Sequence, residues 1–69
     1  MKSKELVDVL RRAEEPLSID QLCSAIFGRT GDRERGLVRV NLHRLDAEGR
    51  LVKHPRRYSL APHEEKTDT

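Results

Sequence analysis

One stretch, residues 33–60, limits more than any other what this 69-residue chain can fold into. Three apolar residues in it have the i, i+4, i+7 spacing of a core-facing helix stripe: Val38, Leu42 and Leu45. Gly49 follows at a place where helices often end with a glycine in the left-handed conformation. After it, short segments with alternating apolar residues lie on either side of a turn at residues 54–56. These features predict a helix over residues 33–48 and then a two-stranded hairpin.

The segment before Pro16 predicts a first supporting helix. Ser3 is a suitable N-cap residue, and the apolar residues that follow it have helical spacing. The helix must end before Pro16, because the residue that precedes a proline is disfavoured in the helical conformation. The helix has more apolar residues than a three-helix core can cover, and Val7 or Val9 is the one in excess.

A second helix is predicted over residues 18–27. Ser18 and Gln21 have the spacing of a capping box, and we expect Leu17, just before it, to pair briefly with the hairpin. The apolar residues of this helix recur with helical spacing: Ile19, Leu22, Cys23, Ile26 and Phe27. Because Cys23 belongs to this stripe, we interpret it as a small core residue rather than a reactive thiol.

The link to the third helix is short and polar. Gly28 is predicted to end the second helix, and Thr30 or Asp32 to cap the third. The side chains of Arg29 and Thr30 could reach a phosphate from this link. The interpretation that the link is only a solvated loop has at least the same weight.

Composition argues against catalysis. A chain of 69 residues that is 35% hydrophobic, with one Phe, one Tyr and no Trp, can build one domain with a modest core, and a deep ligand pocket is not expected. Its carboxylates are scattered, and it has no glycine-rich phosphate loop. The histidines and Cys23 lack the spacing of metal ligands. We therefore expect no enzyme activity, no cofactor, no metal and no small-molecule ligand.

The chain also carries some signals about its compartment. Its single cysteine excludes an internal disulfide and fits a reducing cytosol. The sequence has no apolar run long enough to span a membrane and no pattern typical of a signal peptide. We expect a cytoplasmic protein that does not contact the membrane.

Positive charge is concentrated on the predicted third helix and hairpin. The formal net charge of the whole chain is only +2, but residues 29–58 hold nine Lys or Arg against four Asp or Glu. Residues 1–28 hold four against five, and residues 59–69 one against three. A basic surface confined to one structural unit is typical of proteins that bind nucleic-acid duplexes.

With these features the chain resembles a winged helix-turn-helix DNA-binding domain of bacterial and archaeal transcriptional regulators. The resemblance covers residues 17–60 and, more loosely, the chain from Ser3. The resemblance depends on three features: the capping segment before and in the second helix, the apolar stripe of the third helix with the glycine that follows it, and the strand segments of the hairpin. Their residues are Leu17, Ser18, Ile19, Asp20, Gln21, Leu22, Val38, Leu42, Leu45, Gly49, Leu51, Val52, Tyr58, Ser59 and Leu60. The link before Arg33 is longer than the three- to four-residue turn of the simplest helix-turn-helix.

The resemblance implies an α+β, mainly helical fold of three helices with a short C-terminal β-hairpin wing. It assigns this domain to residues 1–61. Residues 62–69 are acidic and lack apolar periodicity, so we expect a disordered tail there.

In such a domain the helix over residues 33–48 would read the major groove of DNA. Arginine can donate two hydrogen bonds to guanine, and small apolar side chains can contact the thymine methyl group. The candidates for base contacts are Arg35, Arg39 and His43, with Val40 for a methyl contact. Arg33 and Arg44 lie on the shoulders of the helix and are candidates for phosphates, which give affinity without sequence information. Asn41 points towards the inner stripe and is interpreted as structural.

The wing over residues 53–57 would lie along the DNA backbone or enter the minor groove. Its candidate contacts are the basic residues around the tip: Lys53, His54, Arg56 and Arg57. Arg56 is nearest the tip and is the candidate for the minor groove, where a narrow A-tract has enhanced negative potential. The competing interpretation is that charge and proline only protect an exposed hairpin from aggregation.

The leading hypothesis is a sequence-specific regulator of transcription that binds double-stranded DNA, acts as a repressor and associates with the nucleoid. The resemblance also implies a homodimer with the helix over residues 3–14 as its contact, because terminal helices of winged-helix proteins often serve dimerisation. Two copies would place the helices over residues 33–48 in successive major grooves of a pseudo-palindromic site. The alternative is a winged-helix interaction module that binds polymerase or another regulator, since a fold does not fix a function. A protein-binding surface would favour aromatic anchors, and the helix over residues 33–48 has none.

Overall fold

The computed structural model describes residues 3–62, which fold into three helices followed by an antiparallel hairpin. The helices are α1 (Ser3–Arg12), α2 (Ile19–Phe27) and α3 (Asp32–Ala47), and the strands are β1 (Leu51–His54) and β2 (Arg57–Leu60). The predicted class, mainly helical α+β with a C-terminal hairpin, is confirmed. The acidic segment 63–69 lies outside the described residues.

The start of α2 is fixed locally, as predicted. Ser18 Oγ accepts a hydrogen bond from the Gln21 backbone N–H at 3.2 Å, and the Gln21 side chain accepts one from the Ser18 N–H at 2.8 Å. This reciprocal capping box satisfies two donors that a helix N-terminus otherwise leaves unpaired. Gly28 then ends the helix with a φ of 76°, a conformation that glycine adopts without steric conflict.

The start of α3 differs from the prediction. Gly31, rather than Thr30 or Asp32, is the N-cap residue, and it forms no side-chain cap. The carboxylate of Glu34, in the first turn, folds back over this position so closely that a Cβ on Gly31 would lie 2.5 Å from Glu34 Oε1. Because Gly31 has no side chain, it leaves room for the Glu34 carboxylate. The sequence pattern did not indicate this arrangement.

The end of α3 agrees with the prediction to within one residue. The helix spans 32–47 instead of 33–48, a difference of the size expected at helix ends. Gly49 has a φ of 73°, and the N–H of Arg50 donates to the carbonyl of Leu45 at 3.0 Å. The chain therefore reverses at the predicted glycine and leads directly into β1.

The core lies where the three helices meet the inner side of the hairpin. Its buried residues come from every element: Leu6, Val7, Leu10, Leu22, Cys23, Val38, Leu42, Leu45, Leu51 and Leu60. The predicted stripe of α3 is buried, and so is Cys23, whose pKa is raised by burial. Both interpretations are confirmed.

The expectation of surplus apolar surface on α1 is wrong for Val7. Val7 is only 4% exposed, and Val9 is half-buried and packs against the same core. The reason is that β2 as well as both other helices packs on α1, so the core covers more of α1 than three helices alone would. Ser3, predicted as a cap, is the first described helical residue, and its hydroxyl donates to Asn41 Oδ1 at 2.9 Å.

The hairpin is tied to the segment before α2. Its strands pair antiparallel, with Lys53 opposite Tyr58 and His54 opposite Arg57. Tyr58 also pairs with Leu17 through two backbone hydrogen bonds of 2.8 and 2.9 Å. The predicted pairing of Leu17 is confirmed, and it holds the hairpin beside the N-terminus of α2.

Candidate nucleic-acid interface

The outer face of α3 is the side opposite its buried stripe. Helical geometry, at 3.6 residues per turn, assigns seven residues to it: Arg33, Gly36, Leu37, Val40, His43, Arg44 and Ala47. All of them are exposed except Gly36, which is half-buried. Apart from the exposed Asp32, which the same geometry places at its N-terminal end, the face has no carboxylate. It therefore combines cationic with apolar groups on one rigid helix.

The other two carboxylates within α3 are directed elsewhere. Asp46 faces the hairpin, where its Oδ2 lies 3.4 Å from Lys53 Nζ. Glu34 is buried against Arg29, with 2.8 Å between Oε2 and Nε. Its own backbone N–H, and then Arg29, lower the pKa of the Glu34 carboxyl group below its usual value. Arg29 is thus engaged in a structural ion pair.

A groove of about 140 Å³ separates α3 from the hairpin. Basic, acidic, aromatic and apolar side chains line it: Arg39, Leu42, His43, Asp46, Leu51, Lys53 and Tyr58. Arg39 therefore lies at the border between the outer face and the groove, and His43 is shared by both. These two predicted base-contact residues are brought to the side of α3 that faces the hairpin.

Arg35 is held away from the outer face. Its Nε donates to Asp20 Oδ1 at 2.9 Å, which forms an ion pair between α3 and α2. The side chain is 41% exposed. Its predicted contact with a base would require this ion pair to open, and it stays a prediction.

Arg57 is held by contacts with the start of α2 and the segment before it. Its Nη1 donates to the Pro16 carbonyl at 3.2 Å and to Gln21 Oε1 at 3.3 Å. Gln21 is also the side chain that completes the capping box of α2. Arg57 therefore links the hairpin to the helix cap, a role that the sequence pattern did not indicate.

The tip of the hairpin is a two-residue turn, Pro55 and Arg56. Arg56 is exposed and has a φ of 62°, in the left-handed region that favours glycine. His54, just before the turn, shares a hydrogen bond of 2.8 Å with Ser59 Oγ. The tip thus presents Arg56 outward, while His54 is engaged within the hairpin.

The predicted cations fall into two groups. Four arginine side chains, and the ring of His43, form no hydrogen bond or ion pair with another residue in the described part of the chain: Arg33, Arg39, Arg44 and Arg56. The others are engaged within the chain: Arg35, Lys53 and Arg57, with His54 bonded to Ser59. The four unengaged arginines can meet an anionic ligand without breaking an internal contact.

Leu37 is a surface residue that the list of predicted contacts omitted. It is 37% exposed, and Val40, one helical turn further along, is 58% exposed. The spacing i, i+3 between the two could have indicated a shared patch. Asn41 contributes nothing to this surface: it is buried, and its side-chain amide donates to the Leu37 carbonyl at 2.8 Å. Its structural interpretation is confirmed.

Comparison with protein-family models, curated proteins and solved structures found no significant match. Across residues 3–62, no helix is long and apolar enough to cross a membrane. Within the same range, no three His, Cys, Asp or Glu side chains are grouped so that they could hold a metal ion. What the protein binds must therefore be argued from its own surface.

Proposed function

We propose that this protein is a winged helix-turn-helix regulator that binds double-stranded DNA in a sequence-specific way. The observation that carries the proposal is the outer face of α3, where unengaged arginines surround small and apolar residues and Asp32, at the N-terminal end, is the one carboxylate. A helix fits the major groove of B-DNA, which is about 12 Å wide. The sixteen residues of α3 give it a length of about 24 Å, enough to lie along several base pairs.

In this arrangement α3 enters the major groove and the hairpin lies beside it. Arg33 and Arg44 meet phosphates on the walls of the groove, and Arg39 and His43 reach base edges on the side towards the hairpin. Arg56, at the tip, extends along the backbone or into the adjacent minor groove. The ion pair of Arg35 with Asp20 and the hydrogen bonds of Arg57 support this geometry by holding α2, α3 and the hairpin together.

The proposal includes repression by occupying a promoter, and a homodimer on a pseudo-palindromic site. The buried Val7 and the half-buried Val9 leave less apolar surface on α1 for a dimer contact than the sequence predicts. The homodimer is therefore a prediction without an assigned interface. Sedimentation analysis with and without a duplex of two half-sites distinguishes a dimer in solution from one that forms only on DNA.

A protein-interaction module is the second candidate. The exposed Leu37 and Val40 favour it, since an apolar pair is a possible anchor for a protein. The charge around the pair would then select an acidic partner. DNA remains the better match, because the same arginines would each need a carboxylate at a matching position on that partner.

Fluorescence-anisotropy titration of the protein against duplexes tests the proposal. The probe is a pool enriched by repeated binding from random sequence, compared with the unselected pool at several salt concentrations. We expect tighter binding to the enriched pool and a linear fall of log affinity with log salt concentration, because phosphate contacts release counterions. Failure to bind either pool at about 50 mM salt, where phosphate contacts are strong, would remove the DNA proposal.

A matched pair of variants tests whether the outer face is the contact surface. Arg44→Gln removes an unengaged charge from α3, and Arg12→Gln removes the same charge from the exposed end of α1. We expect Arg44→Gln to weaken binding and reduce the salt slope by about 0.9, the value for one phosphate contact. Arg12→Gln should leave both unchanged. Equal effects of the two variants would mean that only net charge matters.

Arg39→Ala separates base reading from phosphate contact. If Arg39 reads a guanine, its removal should weaken binding to the enriched pool more than to the unselected pool, because a bidentate base contact is worth about 1–3 kcal/mol of discrimination. Equal losses on both pools would assign Arg39 to a phosphate.

A further inference from the structure

The exposed apolar residues of α3 form one small patch. Leu37 and Val40 are the large hydrophobic side chains exposed among residues 3–62. They are three residues apart on one helix, so their side chains are neighbours. Isolated apolar residues are common on protein surfaces, but these two lie next to each other midway along α3, between Arg33 and Arg44, and so form an apolar group between two cations.

The surroundings of this patch limit what can cover it. Arg33 lies one turn before Leu37, and Arg44 one turn after Val40, and neither is engaged by another described residue. A second copy of the chain is disfavoured, because a two-fold interface would bring each patch and its arginines against the same patch of the partner. Two side chains also provide far less area than the roughly 800 Å² per partner of a stable protein interface.

The major groove of DNA presents the complementary chemistry. Its walls are phosphates, and its floor carries one apolar group, the C5-methyl group of thymine. A helix with arginines at the ends of its outer face and aliphatic side chains between them matches both. The branched side chains of Leu37 and Val40 would lie over the floor while the arginines reach the walls.

We infer that Leu37 and Val40 form a pair that reads pyrimidine C5-methyl groups, so that the preferred DNA site contains thymines facing the middle of α3. The inference rests on the proposed function and gives it a base preference. It also makes Leu37, which no motif indicated, a residue that determines specificity.

Replacing thymine with deoxyuridine in the enriched duplex tests this inference, because the change removes only the methyl group and leaves the pattern of hydrogen bonds. Each thymine is replaced in turn, and affinity is measured by anisotropy. At one or two positions we expect a loss of roughly threefold to fivefold, the effect of withdrawing one methyl-sized group from apolar contact. Uniform affinity for the thymine and deoxyuridine duplexes would overturn the inference while leaving DNA binding intact.

Two variants connect the effect to this patch. In Leu37→Ala and in Val40→Ser, which removes both methyl groups of valine, the penalty for deoxyuridine should shrink towards none at the corresponding position, as expected when one partner of a contact is already missing. Val9→Ala, a truncation on α1, should keep the full penalty. If the penalty persists unchanged in both patch variants, the methyl groups are read by other residues and the inference is wrong.

Failure of the proposed function gives a different result. If the protein binds neither the enriched nor the unselected duplexes, the proposed function is wrong, and so is the inference that rests on it. If it instead binds an acidic amphipathic peptide, and Leu37→Ala abolishes that binding, the patch is a protein anchor and both the inference and the DNA proposal are overturned.

Discussion

At the scale of single residues, Arg56 has an unfavourable backbone conformation at the tip of the hairpin. It occupies the left-handed conformation, which is unfavourable by about 1–2 kcal/mol for a residue with a side chain. Glycine would remove this strain at the tip of the hairpin. An arginine there is understandable if its charge has a function that outweighs the strain, since strained residues concentrate at functional sites.

Arg56→Gly should therefore separate the two effects. We expect the free energy of unfolding to stay equal or to rise by up to about 1 kcal/mol, and DNA affinity to fall together with the salt slope. Chemical denaturation and anisotropy measure the two quantities. Arg56→Ala is the matched control, because it loses the same charge but keeps the strained backbone. If neither variant changes DNA affinity, the tip does not contact DNA.

At the scale of one element, the start of α3 depends on Glu34 rather than on an N-cap side chain. The carboxylate accepts a hydrogen bond from its own backbone N–H and pairs with Arg29. A negative charge at this position also interacts favourably with the helix dipole. Because α3 carries the whole outer face, its first turn affects the position of Arg33.

The pKa of Glu34 predicts a dependence of stability on acid. Since this pKa is lower in the folded protein than its ordinary value of 4.5, the charged form stabilises the fold. That contribution is complete above the ordinary pKa and is lost as the pH falls through the lower folded value. We expect Glu34→Gln to lower Tm at neutral pH, and the difference from the unmodified protein to shrink in acid.

Thermal unfolding between neutral pH and about pH 3, below the ordinary pKa of a glutamate, measures this effect. Glu14→Gln is the control, since Glu14 is exposed, lies outside the helices and pairs with no other described residue. A difference in Tm between the Glu34 variant and the unmodified protein that stays constant across this range would assign the effect of Glu34 to packing rather than to charge.

At the scale of the whole molecule, the hairpin is positioned by contacts distant in sequence. Tyr58 pairs with Leu17, and Arg57 reaches residues 41 and 36 positions away, at Pro16 and Gln21. Through Gln21 the hairpin and the cap of α2 share one side chain. The angle between α3 and the hairpin, and so the spacing of any DNA contacts, depends on these bonds.

Arg57→Ala should consequently behave differently from Arg56→Ala. Both lose one charge, but only Arg57→Ala releases the link between the hairpin and α2. We expect it to lower Tm slightly and to weaken binding to all duplexes, with less change in salt slope than Arg56→Ala, because Arg57 is engaged within the chain. An equal reduction of slope in both variants would show that Arg57 also meets a phosphate.

The core gives a second prediction at this scale. Leu45 is fully buried where α3 meets the other elements, and Leu45→Ala should lower the free energy of unfolding by about 2–5 kcal/mol. A single core of this size supplies only about 3–5 kcal/mol in all, so we expect the variant to be largely unfolded by circular dichroism. A variant that remains fully folded would mean that the domain is considerably more stable than its size suggests.

The sequence by itself determined the elements and the core. Apolar spacing, the capping box at Ser18 and the glycine at position 49 act within a few residues of chain, so they could be interpreted without knowing what packs on them. The N-cap residue of α3 is Gly31 instead of the predicted Thr30 or Asp32, and the Glu34 side chain that folds over Gly31 has no signature in the local sequence. The concentration of positive charge on one unit was also evident from the sequence.

Only the tertiary structure decided which arginines are available to a ligand. Arg35 and Arg57 are engaged by Asp20 and Gln21, residues separated from them by 15 and 36 positions, and no local spacing predicts such pairs. The same holds for Val7, whose burial depends on the strand that packs against α1. Helical periodicity predicts which residues share one face of a helix. Which of their side chains stay exposed depends on the other elements of the chain that pack against that face.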